Sequence, residues 1–280
     1  MSQPRTAEQW AKHAANAQTP EEALRRYQAG LDAFPHHPDV LSGYGELLDQ
    51  LGRLDESEAV LHHLIRLEPD DPDHVFNLAL FYEERRSAPE KAAPLYRQIL
   101  AADPEDVEAL SALGRHLLAV GEIDEAEHFL GQVLELEPDH FESLYNMAHL
   151  LQGHRDQPEL AEALYLAALD LEPEDVEVNG ALAELRVIRG NLAGAAPLIA
   201  VAMENAERTA PVQAPLLFLH ALVETLNKSN ANRTLQKLEA MLDGGIQEPD
   251  WELQTVMSAV KERLGDQSDR FAALAKRING

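Results

Sequence analysis

The chain has no cysteine in 280 residues, which excludes disulfides and every use of a thiolate as nucleophile or metal ligand. Aromatic residues are scarce at 5%. No apolar run approaches the roughly 18 residues that would span a bilayer. Residues 1–19 are polar and lack the apolar core of a secretory signal. Together these absences set the expectation of a cytoplasmic protein. Positive charge is also short: 23 Lys+Arg stand against 49 Asp+Glu, a formal charge of −26. An acidic surface repels phosphate backbones and anionic bilayers, so nucleic acid and membrane are not expected partners. The deficit is uneven, at −25 over residues 1–209 and −1 over residues 210–280, which argues for a boundary near Pro211. No Gly-x-Ser-x-Gly turn or phosphate-cradling glycine loop is present. No catalytic residue and no cofactor is expected, and the chain is not read as an enzyme.

What the chain does have is a period. Pro35, Pro69, Pro104, Pro138 and Pro173 are spaced by 34, 35, 34 and 35 residues. Regular intervals of this size signal stacked units. In the unit ending at Pro138, Leu110, Leu113, Gly114 and Leu117 mark one face of a helix. Gly121 interrupts, and Ile123, Ala126, Leu130, Val133 and Leu134 form a second stripe that stops before Pro138. Each unit therefore reads as helix, turn, helix. The first stripe recurs as Leu41, Tyr44, Gly45, Leu48, as Val75, Leu78, Ala79, Tyr82, and as Leu144, Met147, Ala148, Leu151. Each second helix opens on a small residue: Ala23, Ser57, Ala92, Ala126, Ala161 and Ala195. One pair cannot bury its stripes alone, so pairs must stack.

The alternation of 34 and 35 has its own origin. Units three and five hold one extra residue before an internal proline, at Ser87-Ala88-Pro89 and Gln157-Pro158. A shift of 69 residues lays Phe-Asn-Leu-Ala at 76–79 on Tyr-Asn-Met-Ala at 145–148, and Arg86-Ser87-Ala88-Pro89 on Arg155-Asp156-Gln157-Pro158. A duplicated two-repeat unit is the simplest reading; coincidence of two common variants is the alternative.

The small residue at Gly45 or Gly114, Ala126 with its counterparts, and the closing prolines resemble the tetratricopeptide repeat family. The resemblance covers residues 4–209 as six repeats starting near 4, 38, 72, 107, 141 and 176. The family's frequent tryptophan at the fourth place is replaced by Ala7, Leu41, Val75, Leu110, Leu144 and Asn179. The resemblance implies an all-α, right-handed superhelical solenoid whose first helices line a concave groove that holds a protein or peptide partner.

On that template the sixth places hold Asn77 and Asn146, whose amides can pair with an extended backbone. The fifth places beside them are Phe76 and Tyr145. The second places read Asp39, Asp73, Glu108, Glu142 and Glu177, an acidic stripe suited to a basic partner segment. Acids in a first helical turn also offset the helix dipole whatever the partner. Apart from Lys12 and Arg115, the groove places lack the cations of a clamp for acidic C-termini. The twelve histidines show no His-Glu-x-x-His pattern. The adjacent pairs His36-His37 and His62-His63 and the separated His149 and His154 are read as solvated or packed, so no metal is expected.

Beyond Pro211 the period fades. Pro215–Leu226, Ala231–Leu242, Trp251–Leu264 and Asp269–Ile278 read as four helices in two degenerate pairs. This region, residues 210–280, is expected to cap the array or to make a homodimer. The leading functional reading is an interaction scaffold or adaptor. The alternative is a regulatory subunit that binds an enzyme or small ligand through these last helices.

Overall fold

A computed structural model of the chain describes residues 6–209, 213–246 and 253–279. The expected boundary at Pro211 and helix start at Trp251 lie outside the described residues. The described residues form helices and no strand. The chain divides into two compact units, residues 1–129 and 130–280, and the division falls within one helix. The first unit holds α1 (Ala7–Ala15), α2 (Pro20–Ala33), α3 (Pro38–Gln50), α4 (Leu54–Leu67), α5 (Pro72–Glu84), α6 (Pro89–Ala102), α7 (Val107–Ala119) and the start of α8 (Ile123–Leu136). The second holds the rest of α8, then α9 (Phe141–His154), α10 (Pro158–Leu171), α11 (Val176–Ile188), α12 (Leu192–Thr209), α13 (Ala214–Leu226), α14 (Asn232–Asp243), α15 (Gln254–Leu264) and α16 (Ser268–Asn279).

Local chemistry sets where helices begin. Thr6, Thr19, Asp106 and Asp175 cap α1, α2, α7 and α11 by accepting a backbone N–H of the first turn, which satisfies one of the donors a helix start leaves unpaired. Proline stands at the start of α2, α3, α5, α6 and α10, where its missing N–H costs nothing.

From the second repeat on, turns inside the repeats come in two alternating kinds, which explains the 34/35 alternation. After α3, α7 and α11 the chain turns on Gly52, Gly121 and Gly190 at φ 70°, 83° and 76°. The following N–H then donates five residues back: Arg53 to Leu48, Glu122 to Leu117 and Asn191 to Arg186, at 2.9, 2.9 and 2.8 Å. This is the Schellman closure, with glycine at the left-handed place. After α5 and α9 the left-handed residue is Ser87 (φ 48°) or Asp156 (φ 50°). There the closing N–H reaches six residues back, Ala88 to Tyr82 at 2.9 Å and Gln157 to Leu151 at 3.1 Å. The extra residue is absorbed by a wider loop. Both turn types recur at intervals of 69 residues.

Packing follows the stripes. In the first unit α1 pairs with α2, α3 with α4 and α5 with α6, and each pair rests on the next through α2–α3, α4–α5 and α6–α7. In the second unit α9 pairs with α10, α11 with α12 and α13 with α14. Ala92, Ala126, Ala161 and Ala195 are fully buried, as nearly are Ser57 and Ala23. The Ser57 hydroxyl donates to the Gly45 carbonyl at 3.1 Å, and a Cβ on Gly45 would stand 3.1 Å from Val60. At these places the two helices of a pair come too close for larger side chains.

One large core joins α11 to α16. Helix α13 is buried on almost every side, and Phe218 meets Phe271 of α16 edge-on at 5.6 Å. Helix α15 packs against α11 as well as α13 and α16, so Val256, Val260 and Leu264 share a core with Val187.

A side chain at positive φ costs about 1–2 kcal/mol that glycine does not incur. Ser87 and Asp156 are exposed. Ser87→Gly and Asp156→Gly should therefore each stabilise the chain, by about 0.5–1 kcal/mol after the added unfolded-state entropy. Gly121→Ala should destabilise it by about 1 kcal/mol. Urea unfolding midpoints measure all three; a less stable Ser87→Gly variant would contradict this account of the wider turn.

Candidate functional site

The five acids of the stripe all lie in first turns: Asp39 of α3, Asp73 of α5, Glu108 of α7, Glu142 of α9 and Glu177 of α11. All are exposed. Only Glu142 approaches a cation-forming side chain among the described residues, 3.7 Å from His140 Nδ1. Their placement satisfies the helix dipole, and their exposure leaves them open to a partner. The arginines of these five helices are both engaged. Arg115 donates to Glu83 at 2.8 Å and Arg186 to Glu162 at 2.8 Å.

Asn77 and Asn146 lie in different units, each beside an aromatic ring. In the first unit Phe76 is half-buried against Tyr96 of α6, with ring centres 5.5 Å apart. In the second, Tyr145 sits 6.1 Å from Tyr165 of α10 and 6.4 Å from His149. Each aromatic thus packs on the second helix of its own pair, and Phe76 also joins a cluster with Ala109 of the following pair. Asn77 is exposed and Asn146 half-exposed, and neither amide has a hydrogen-bond partner among the described residues. Burial pushes the Tyr145 phenol up to about 12, with Glu177, Asp175 and Glu184 adding to the shift. His149 keeps part of its ring in solvent, yet the protein crowded around it lowers its pKa, and His154 adds to this.

A buried polar network escapes sequence reading. Glu83, at the end of α5, accepts from Tyr96 OH (3.1 Å), Arg115 (2.8 Å) and His116 Nδ1–H (2.5 Å). A carboxylate accepts, so Nδ1 of His116 carries the hydrogen of this bond. Glu83 and His116 end first helices one repeat apart, so aligning helix ends would have found them. The network also removes Arg115 as a free groove cation. Sixty-nine residues on, the same places hold Gln152, Tyr165, Glu184 and Leu185. There Tyr165 OH and Gln152 Oε1 are buried and without hydrogen-bond partners among the described residues. The two halves share a scaffold and differ in what it carries.

Two clusters have donors that suit a cation. Glu68, Asp71 and His74 bring one ligand atom each within 4.8 Å of the others. His36 Nδ1 lies 3.1 Å from His63 Nε2 in an exposed pair. Adjacent-histidine and His-Glu-x-x-His patterns reveal neither. The first is spaced three and three along a turn, and the second joins residues 27 apart.

With this geometry in place, the comparisons settle the class. Residues 14–79 and 85–151 match one tetratricopeptide repeat profile and residues 145–208 another. The matches span well over half of the sequence, and the chain belongs to the tetratricopeptide repeat family. It is 25% identical over 182 residues to tetratricopeptide repeat protein 8 of Caenorhabditis elegans, covering 52% of this chain and 36% of that protein. The chain thus spans about a third of the length of this curated relative. A tetratricopeptide repeat protein from Parabacteroides merdae has a similar structure, with a TM-score of 0.63, 18% identity, and coverage of 98% of this chain and 99% of that one. PilF of Pseudomonas aeruginosa gives a TM-score of 0.64 at 18% identity, over 80% of this chain and 97% of that one. At this identity the likeness establishes the fold alone. No helix among the described residues is long and apolar enough to cross a membrane.

The Tyr82 phenol is pushed up to about 12, first by burial and then by its hydrogen bond to Glu58 (2.8 Å). A folded-state pKa above the ordinary value near 10 means that the fold favours the neutral phenol. The stability this contributes is complete below pH of about 10 and is lost as pH rises through about 12. Tyr82→Phe should therefore lose less stability than the parent between about pH 9 and about pH 11, as read from urea melts at the two values. An identical loss in both proteins would contradict the assignment.

Proposed function

We propose that the chain is a protein-binding scaffold or adaptor, not an enzyme, and that its first helices receive a partner segment that carries basic residues. The observation that carries this reading is the repeated pair of an unpartnered amide and a ring held by a second ring: Asn77 with Phe76 on Tyr96, and Asn146 with Tyr145 on Tyr165. An Asn amide offers both a donor and an acceptor to an extended backbone, and a pre-packed ring loses little freedom on binding. Charge complementarity supports the basic segment. Asp39, Asp73 and Glu108 in one unit, and Glu142 and Glu177 in the other, are exposed, while Arg115 and Arg186 are neutralised. The same acidity disfavours nucleic acid.

We further take residues 210–280 as a cap on the repeat region, residues 1–209, in preference to a homodimer surface or an enzyme-binding site. Burial of α13 on almost every side supports the cap, because its apolar faces are already covered within the chain. The exposed sides of α14 and α16 carry ion pairs, Arg270–Glu239 at 2.8 Å and Arg277–Asp243 at 2.6 Å.

The test is fluorescence anisotropy with a labelled Lys/Arg-rich peptide and an acidic peptide as control. The basic peptide should bind more tightly, and its affinity should fall as salt screens the acids beyond about 10 Å at 0.1 M. Asp39→Asn, Asp73→Asn and Glu108→Gln together should mimic that fall. Asn77→Ala with Asn146→Ala should weaken binding by about 1–3 kcal/mol without loss of helicity. Unchanged affinity in a fully helical double variant would remove the amides from the site.

A further inference from the structure

We propose that Glu68, Asp71 and His74 form a binding site for a divalent transition-metal ion of the zinc class, which clasps the turn between α4 and α5. The three donors come from a single turn. Glu68 follows the last residue of α4, Asp71 caps α5, and His74 lies in the first turn of α5. His74 Nε2 stands 2.9 Å from Glu68 Oε2 and 3.7 Å from Asp71 Oδ2. A tetrahedral ion about 2.0–2.1 Å from each donor would hold donors about 3.3 Å apart. The two separations from the imidazole bracket that value, and the two carboxylate oxygens lie within 4.8 Å of each other.

The backbone holds the donors in place without help from a cation. The Asp71 N–H donates to the Glu68 carbonyl at 3.2 Å. Asp71 Oδ1 accepts from the Asp73 N–H at 3.0 Å, which leaves Oδ2 turned to the imidazole. One Nε2–H can serve one carboxylate well, and Glu68 takes it. The second carboxylate then faces the first across the same nitrogen, an arrangement that a shared cation would relieve.

The other repeats supply an internal comparison. The place of His74 is held by Val40, Ala109, Ser143 and Val178 in the equivalent turns, each with at most 1% of its surface exposed. His74 is nearly as buried, at 8%, so an imidazole occupies a position otherwise given to small or apolar side chains. A buried polar group needs full pairing to be tolerated. The equivalent turns carry partial sets: Asp103 and Asp106, Glu137 and His140, Glu172 and Asp175. Of these turns, only the one at 68–74 has all three donors. An imidazole with two carboxylates suits zinc and its neighbours, whereas calcium and magnesium prefer oxygen alone. The Glu68 and Asp71 side chains are 45% and 39% exposed, so water can complete the coordination.

The experiment titrates zinc into the full chain, reading stoichiometry by equilibrium dialysis and Tm by thermal melting. The parent should bind zinc and melt at a higher temperature with it. His74→Val installs the residue of two equivalent turns. It should fold like the parent, lose one equivalent of zinc and lose the shift in Tm. Glu68→Gln, which keeps the imidazole, should weaken binding at least tenfold. His63→Gln removes the competing His36–His63 pair and should retain the equivalent and the shift. Calcium at the same concentration should produce neither. The proposal is overturned if the parent takes up no zinc, if His74→Val keeps both equivalent and shift, or if only His63→Gln abolishes them.

Discussion

The close approach of two helices at one small side chain is the constraint on which the rest of this structure depends. Ala23, Ser57, Ala92, Ala126, Ala161 and Ala195 sit where the second helix of each pair crosses the first, and each is buried. Helices packed through such positions lie at the short end of the usual 8–10 Å spacing. With the pair fixed, its apolar stripes face the neighbouring pairs, and the turn between its helices has little latitude. From α3 to α12 two turn solutions satisfy it: a glycine closure, and a wider loop with Ser87 or Asp156 in the left-handed region.

Stacking that buries each stripe on a neighbour leaves the last stripe without one. In the second unit α13 to α16 continue the core begun by α11 and α12. The outward residues of the first helices carry no such burden. They can hold acids, free amides or a buried network without disturbing the pairs. The Glu83 network in one copy and the Gln152–Tyr165 positions in the other show how far two halves of a repeating scaffold can diverge.

Much of this was legible in the sequence, because the determinants are local or periodic. Helices α3, α5, α7, α9 and α11 begin at Pro38, Pro72, Val107, Phe141 and Val176, the places the proline period marks. Residues 215–223 are apolar almost throughout, a breadth that needs cover on more than one side, and α13 is buried on almost every side. What stayed hidden depends on contacts between distant residues. The return of α15 onto α11, the engagement of Arg115 by Glu83, and the seating of Phe76 and Tyr145 on Tyr96 and Tyr165 have no signature in a single helix. The Glu68-Asp71-His74 cluster is local, yet its burial shows only in the folded turn. The two free amides were nameable from the repeat template, while their lack of partners is a property of the packed chain.

The most direct test of the small-residue constraint is a pair of substitutions on α10. Ala161 is fully buried where α10 meets its partner helix, and Ala163 is exposed on the same helix. Urea unfolding of Ala161→Leu should show a loss of about 1–3 kcal/mol, because the added atoms must force the pair apart. Ala163→Leu should stay within about 0.5 kcal/mol of the parent. Equal stability for the two variants would contradict the account.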